Sequence, residues 1–204
     1  GKTNMHQTEQ KRYSKTTALV LCGIFAALMA ICSFITIPLG FTPVPINLAT
    51  LGVFLTGGIL GKKYGSISLI VYILLGAVGV PVFAGFKGGL GVLAGPTGGY
   101  IIGYLAAAFL TGLLVELVFT KTGTDSGQRS AKSSTSRFIG IILAMIAGLV
   151  ACYALGTAWF MISTGTGLGA ALISCVIPFL PGDAAKIIVG ALLVQKLRPV
   201  IPIR

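Results

Sequence analysis

Six apolar segments, separated by shorter polar or glycine-rich stretches, make up most of this chain. They occupy residues 17–37, 46–61, 66–84, 98–119, 138–162 and 168–195. A helix of about 20 apolar residues crosses the roughly 30 Å hydrocarbon core of a bilayer, and most of these segments approach or exceed that length. The pattern therefore predicts an all-α integral membrane protein whose six transmembrane helices form one domain over residues 15–198.

Two polar regions lie outside these apolar segments. Residues 1–14 are predicted to be a disordered tail, and residues 1–4, which precede Met5, are interpreted as an added segment. Residues 120–137 are rich in Ser, Thr, Gly and basic side chains, a composition typical of a flexible linker. This linker divides the six helices into two groups of three without making them separate domains.

The positions of the basic residues predict the orientation of the helices. Thirteen of the fifteen Lys and Arg residues fall in the tail, the turn between the second and third segments, the linker and the C-terminus. Lys and Arg concentrate in the cytoplasmic loops of membrane proteins. The N-terminus, the C-terminus and the linker are therefore all predicted to be cytoplasmic.

The composition excludes several classes of function. The chain has 55% hydrophobic and 9% charged residues, and its formal net charge is +11. The basic residues flank apolar segments and form no patch interleaved with aromatic residues, so no nucleic-acid partner is expected. Four cysteines lie within apolar segments without metal-ligand spacing and are interpreted as small buried residues: Cys22, Cys32, Cys152 and Cys175. No metal or other cofactor is expected.

Two charged residues are predicted to lie deep in the membrane. Asp183 and Lys186 are 13 and 10 residues from Lys196, the predicted cytoplasmic edge, or about 20 and 15 Å along a helix. Such a charge costs on the order of 2.5–3.5 kcal/mol on insertion scales and usually has a function. One interpretation is contact with a ligand. The alternative is structural: Asp183 caps the helix after Pro181, or pairs with Lys186.

Three stretches near the predicted outer face are expected to interrupt the helices. Residues 37–50 contain three prolines and fold back as a loop, where Asn47 is either a helix cap or a ligand contact. Residues 83–100 are glycine-rich and are predicted to be an extracellular loop over a ligand pocket, since non-helical backbone at membrane depth must line a cavity or be buried in protein. Pro178 and Pro181 are expected to break the last segment, with a shorter helix from Gly182.

A stripe of small residues marks the first segment. Its four members recur at steps of four: Ala18, Cys22, Ala26 and Ala30. Small residues at this spacing allow another helix to approach closely. The spacing alone fits packing within the bundle and docking of a partner protein equally well.

Solute binding fits the chain better than catalysis does. The predicted membrane segments contain no His, no carboxylate pair and no metal cluster, so an enzyme is not expected. One acid, one base and several backbone N–H groups suit a small amphipathic solute with a carboxylate and amide-like groups. Aromatic residues are expected to form the apolar walls: Phe41, Phe83, Phe86, Tyr100 and Trp159.

Three motifs, in this order, resemble those of the BioY family: GFTPVPINLAT, GGLGVLAGPTGGY and PFLPGDAAK. This family comprises the biotin-specific substrate-binding (S) components of energy-coupling-factor (ECF) vitamin transporters. The resemblance covers residues 15 to 198 and implies a six-helix bundle in the bacterial plasma membrane, with a biotin pocket near the extracellular face. It also implies a partner module, made of a transmembrane coupling protein and two ATP-binding-cassette ATPases.

The resemblance also assigns roles to individual residues. Asp183 is expected to accept hydrogen bonds from the ureido N–H groups of biotin, and Lys186 to meet either the valerate carboxylate or the ureido oxygen. Weaker candidates for biotin contacts lie in the two loops: Asn47, Lys87, Gly89, Gly91, Thr97, Gly98 and Tyr100. Ala26 and Ala30, with Ala18 and Cys22 on the same stripe, become the expected contact with the coupling protein.

Two alternative functions remain open from the sequence. The chain could be a stand-alone secondary transporter in which Asp183 and Lys186 couple transport to protons. It could also be an S component for another vitamin. Co-purification with ATPases distinguishes the first alternative, and ligand binding distinguishes the second.

Overall fold

Helices dominate the structure, a computed structural model that describes residues 15–123 and 131–201. In chain order the elements are α1 (Lys15–Phe34), β1 (Thr36–Ile37), β2 (Ile46–Asn47), α2 (Ala49–Ala77), α3 (Leu90–Ala94), α4 (Gly98–Gly123), α5 (Ala131–Thr164), α6 (Leu168–Cys175), a 3-10 turn (Ile177–Phe179) and α7 (Leu180–Leu197). Strands β1 and β2 pair antiparallel as a short ribbon, with Thr36 opposite Asn47. The predicted disordered tail, residues 1–14, lies outside the described residues.

Helix α2 consists of two arms, because the chain reverses at Gly61. This residue has φ +80°, a left-handed conformation that glycine adopts without steric cost. A Cβ atom on Gly65 would lie only 3.0 Å from the Cα of Gly57, whereas eight residues of continuous helix span about 12 Å. The arms, residues 49–60 and 62–77, therefore pack side by side and account for the second and third predicted segments.

Charged side chains cap both helix ends at this reversal. The backbone N–H of Lys62, at the start of the second arm, donates to Glu116 Oε1 at 3.0 Å. Arg198 Nη1 donates to the carbonyl oxygen of Gly58 at 2.5 Å, near the end of the first arm. An anion at a helix N-terminus and a cation at a C-terminus both complement the helix dipole. Glu116 and Arg198 thus tie α4 and the end of α7 to the reversal in α2.

Helical structure covers both ends of the predicted linker over residues 120–137. Helix α4 continues to Gly123 and α5 already begins at Ala131, so only residues 124–130 lie between them, outside the described residues. Arg137 holds the two helices together, since its Nε donates to Thr122 Oγ1 at 3.1 Å and its Nη2 to the Thr122 carbonyl at 3.4 Å. A basic side chain on the last carbonyls of α4 favours the extra helical turn.

The last apolar segment is broken, as the two prolines predict. Helix α6 ends at Cys175, the 3-10 turn contains Pro178, and α7 begins at Leu180, two residues before the predicted start. Pro181 stands in the first turn of α7, where its missing N–H removes no helical hydrogen bond. Asp183 is also in this first turn, and the N-cap residue itself makes no side-chain capping bond.

The surface of the bundle confirms an all-α membrane fold. Five helical stretches of the described residues are long and apolar enough to cross a membrane: Lys15–Phe34, Ala49–Ala77, Gly98–Thr122, Ser134–Thr164 and Leu168–Leu197. Large apolar side chains face outward along them, including Leu74, Leu143 and Ile162 at 58%, 60% and 75% exposure. Such a surface is stable in lipid, because every helical backbone group is hydrogen-bonded internally. The predicted cytoplasmic position of the termini stays a prediction.

The small-residue stripe of α1 lies mainly inside the bundle. Ala18, Cys22 and Ala26 are buried, and only Ala30 is half-buried. Helix α1 packs closely on α2, where a Cβ atom on Gly52 would lie 2.8 Å from Met29 Sδ. The burial of these three residues fits the packing alternative, and contact of the stripe with a coupling protein stays a prediction.

Candidate ligand-binding cavity

A cavity of about 460 Å³ lies at the end of the bundle where α2 and α7 begin. This volume is within the usual range for sites that bind small molecules. Its walls come from the end of α1, the β-ribbon and its loop, both ends of α2, the loop at residues 83–87, helices α3, α4 and α5, the 3-10 turn and α7. The lining residues are Ser33, Phe34, Thr36, Pro38, Pro43, Val44, Pro45, Asn47, Thr50, Tyr72, Phe83, Ala84, Gly85, Phe86, Lys87, Val92, Thr97, Tyr100, Ile101, Tyr104, Cys152, Tyr153, Phe179, Asp183 and Lys186.

Asp183 forms the buried polar end of this cavity. The residue is 2% exposed, and its two carboxylate oxygens accept three hydrogen bonds from protein groups. Oδ1 accepts from Thr50 Oγ1 at 2.9 Å and from Lys186 Nζ at 3.0 Å. Oδ2 accepts from the hydroxyl of Tyr153. Charge pairing and hydrogen bonds together offset the cost of burying the carboxylate.

The three protons of the Lys186 ammonium group all have partners within the protein. Nζ donates to the carbonyl oxygen of Asn47 at 2.5 Å, to Thr50 Oγ1 at 3.1 Å and to Asp183 Oδ1 at 3.0 Å. A lysine has three N–H donors and no more. In this conformation a ligand group can bind Lys186 only by replacing one of these partners.

The sequence left open a structural and a ligand-binding role for the charged pair. The two side chains do form an ion pair between residues three apart on α7, as the structural interpretation expected. They also bond to α2, α5 and the β-ribbon, and both line the cavity. The pair therefore joins three parts of the bundle at the wall of a ligand-sized space.

Further polar groups stand around this end of the cavity. Asn47 Oδ1 accepts from the backbone N–H of Ala49, the first residue of α2, at 3.0 Å, although the N-cap position itself belongs to Leu48. The Tyr104 hydroxyl lies beside the Asn47 side chain. Ser33 and Tyr72 hydroxyls share a hydrogen bond of 2.7 Å on another wall. These side chains place both hydrogen-bond donors and acceptors around the cavity.

The open end of the cavity is aromatic and basic. The rings of Phe34 and Phe86 stack with centroids 4.4 Å apart and planes inclined by 21°. Residues 84–86 form a tight turn, closed by a hydrogen bond of 2.9 Å from the Phe83 N–H to the Lys87 carbonyl. Phe86 has φ +57°, a left-handed conformation that is rare for a bulky residue. Residues 83–87 therefore form the rim of the cavity.

The predicted contact residues of the two loops divide into two groups. Asn47, Lys87, Thr97 and Tyr100 line the cavity, whereas Gly89, Gly91 and Gly98 do not. Gly91 is exposed, and Gly98 is needed for packing, because a Cβ atom there would overlap the carbonyl oxygen of Leu93. Gly89 and Gly91 thus belong to the start of α3 and Gly98 to the start of α4, outside the cavity wall.

Tyr100 also serves the fold. Its hydroxyl donates to the carbonyl oxygen of Cys175 at 2.7 Å, the last residue of α6 before the break at Pro178. The broken helix leaves this carbonyl without a helical partner, since the N–H of Phe179 bonds to Val176 instead. Tyr100 therefore stabilises the break that places Asp183 at the cavity.

Two of the five aromatic residues that were predicted to form the apolar walls do not line the cavity. Phe41 is 65% exposed and does not line the cavity. Trp159 lies on the outside of α5, where its Nε1 donates to the carbonyl oxygen of Gly95 at 2.8 Å. This bond fastens the glycine-rich loop to α5. Phe83, Phe86 and Tyr100 do line the cavity, as predicted.

Sequence reasoning did not find Thr50 and Tyr153, although both bond directly to Asp183. A signal for Tyr153 was present, because a tyrosine within the fifth apolar segment needs a partner for its hydroxyl. Thr50 follows Asn47 by three residues in the loop motif, and nothing in its local sequence points to a residue 133 positions away.

A polar site at one end of a cavity, held inside a helical membrane bundle, defines a membrane protein of the solute-binding class. The model of the BioY family matches residues 5–203. The chain belongs to the BioY family.

Individual relatives agree with this assignment. The biotin transporter BioY of Thermotoga maritima is 39% identical over 88% of this chain and 95% of its own. The biotin transporter BioY of Rhizobium etli is 38% identical over 87% of this chain and 91% of its own. A crystal structure of the S-component for biotin from an ECF-type ABC transporter is 33% identical, with a TM-score of 0.75 over 91% of this chain and 92% of its own. The predicted resemblance to the BioY family is therefore confirmed.

Proposed function

We propose that this chain is the biotin-binding substrate component of an ECF-type vitamin transporter. It captures biotin in the cavity that Asp183 and Lys186 line, and a partner module then drives its release into the cell. The observation that carries the proposal is the match to the S-component for biotin, which extends over nearly the whole of both chains. The cavity lies within the matched bundle and is large enough for a small vitamin.

The chemistry of the cavity supports biotin as the ligand. Biotin has a ureido ring with donors and an acceptor, an apolar thioether ring and a valerate tail that ends in a carboxylate. Asp183 retains acceptor capacity on Oδ2 for a ureido N–H, since only Tyr153 donates to that oxygen. Apolar residues such as Val44 and Phe179 line the space for the thioether ring.

The rim of the cavity supports the placement of the carboxylate. Lys87 is exposed there and lines the space, whereas all three protons of Lys186 already have partners. A carboxylate also loses less hydration at the open end than at the buried end. We therefore place the ureido ring at Asp183 and the valerate carboxylate toward Lys87.

The proposed partner is an ECF module with a transmembrane coupling protein and two ATP-binding-cassette ATPases. This chain contains no nucleotide-binding motif that would supply the energy itself. A contact of the coupling protein with α1 remains part of the proposal, with Ala30 as the member of the stripe that retains exposed surface. The stand-alone proton-coupled transporter has less support, because the matched structure is a component of an ABC transporter.

Uptake in cells tests this assignment. Cells that lack their own biotin transporter are supplied with this chain alone, with the chain and an ECF module, or with the chain and a module whose ATPases cannot hydrolyse ATP. We expect concentrative uptake of labelled biotin only with the intact module. Uptake by the chain alone that collapses when the proton gradient is removed would support the secondary transporter instead. Uptake of another vitamin in preference to biotin would reassign the ligand.

A further inference from the structure

Two hydroxyl groups from different helices fix the carboxylate of Asp183. The Thr50 hydroxyl, on α2, donates to Oδ1 at 2.9 Å, and the Tyr153 hydroxyl, on α5, donates to Oδ2. Asp183 itself is on α7. The two carboxylate oxygens are thus each held from a different side by a different part of the bundle.

These bonds matter because an aspartate carboxylate turns easily about its last torsion. That torsion has a broad, twofold distribution, unlike the three narrow wells of an aliphatic torsion. A single partner such as Lys186 leaves the plane of the carboxylate free to rotate about the ion pair. Donors on both oxygens remove this freedom and fix the direction of the remaining lone pair of Oδ2.

Neither hydroxyl has a proton left for a ligand. A hydroxyl group has one O–H donor, and in both residues that donor is used on Asp183. The Thr50 oxygen also accepts a hydrogen bond from Lys186 Nζ at 3.1 Å. Thr50 therefore binds both members of the charged pair and sets their positions relative to each other.

We propose that Thr50 and Tyr153 are positioning residues for Asp183. They act on the ligand through the orientation of the carboxylate and not through contacts of their own. As far as biotin is concerned, this inference rests on the proposed function. The geometry of the carboxylate itself is independent of which ligand binds.

An infrared measurement on the ligand-free protein tests the orientation. The chain has only four Asp and Glu residues, so the carboxylate bands of Asp183 can be identified from a difference spectrum against Asp183→Asn. We expect Thr50→Val and Tyr153→Phe each to shift these bands, because each removes one donor, and Thr50→Ser to leave them in place. The matched control is Thr56→Val, on the same helix, whose buried hydroxyl has no hydrogen-bond partner within the described residues. Bands that stay unmoved in Thr50→Val and Tyr153→Phe would overturn the proposal, whether or not biotin binds.

Biotin affinity provides the second measurement. Each single variant is expected to weaken binding about tenfold, as a lost hydrogen bond to a charged group commonly does. The double variant should lose clearly less than the product of the two single losses, because both substitutions release the same carboxylate. Thr50→Ser should bind within about twofold of the unchanged protein, since it keeps the hydroxyl. Losses that multiply to about a hundredfold would overturn the proposal, since independent ligand contacts behave in that way.

The two measurements separate this inference from the proposed function. If the unchanged protein fails to bind biotin, the proposed function fails, and the infrared bands still decide whether Thr50 and Tyr153 hold the carboxylate. If biotin binds and the bands do not move, only the positioning role fails. Thermal unfolding of each variant checks that the bundle is intact before either measurement is interpreted.

Discussion

Replacing Lys186 with methionine should destabilise the bundle strongly, because it leaves Asp183 as a buried charge without a cation. The side chains of the pair are only 11% and 3% exposed. Removing one partner of such a pair typically costs about 3–5 kcal/mol of unfolding free energy. For a chain of about 200 residues, each kcal/mol shifts the unfolding temperature by about 2–4 °C. Lys186→Met should therefore unfold about 6–20 °C below the unchanged protein.

A second ion pair in the same chain provides the matched control. Lys62 and Glu116 are 3.8 Å apart, with side chains 47% and 33% exposed. An exposed pair of this kind contributes about 0.2–1 kcal/mol. Lys62→Met should therefore lower the unfolding temperature by no more than about 4 °C, although the same charge is removed by the same substitution.

The double variant Asp183→Asn/Lys186→Met distinguishes two causes of lost stability, an unpaired buried charge and the loss of the contacts that Lys186 makes. Both charges are then absent, so most of the lost stability should return, while biotin binding stays weak. Differential scanning fluorimetry in one detergent, with and without biotin, measures all of these proteins. A loss in Lys186→Met no larger than that in Lys62→Met would refute the assignment of a buried charge pair. A double variant less stable than Lys186→Met would refute the explanation by an uncompensated charge.

Three further predictions concern the packing, the rim and the helix break. Gly57→Ala should cost about 1–3 kcal/mol of unfolding free energy, because the added Cβ would overlap the backbone of α4. The control is Gly23→Ala, whose added Cβ would have no atom within 4 Å and which should leave the unfolding temperature unchanged or raise it. Phe34→Ala removes the ring stack with Phe86 at the rim and should speed biotin dissociation about two- to tenfold, measured in a filter-binding chase. Phe41 is exposed and outside the cavity, so Phe41→Ala should leave the dissociation rate unchanged. Tyr100→Phe removes the bond to the end of α6 and should lower stability by about 1 kcal/mol; unchanged unfolding would contradict its role in the helix break.

Much of the fold follows from hydrophobic patterning and helix-breaking residues. The apolar segments specify which parts of the chain enter the membrane, and Pro178 with Pro181 specifies where the last segment breaks. The ends of α4 and α5 did not follow in this way. Their extra turns depend on Arg137 reaching Thr122 across the linker, a contact that local composition does not indicate. Helix propensity along the sequence does not predict helix ends that depend on tertiary contacts.

The candidate site was partly predictable, for a similar reason. Asp183 and Lys186 are conspicuous because charges are rare in apolar segments. Thr50 and Tyr153 resemble ordinary residues of membrane helices, and only the packing of α2 and α5 against α7 gives them a role. The stripe on α1 shows the opposite case, since the same spacing of small residues fits two kinds of close contact. Ala26 is buried, which fits packing within the bundle, and its contact with a coupling protein stays a prediction.

Calorimetric titration of the purified protein with biotin tests the central claim most directly. The account predicts saturable binding with one biotin per chain, strongly weakened in Asp183→Asn, while Glu116→Gln, at the opposite end of the bundle, binds like the unchanged protein. Absence of binding by the folded, unchanged protein would contradict the assignment of biotin as the ligand. Equal affinity of Asp183→Asn and the unchanged protein would contradict the assignment of this cavity as the binding site.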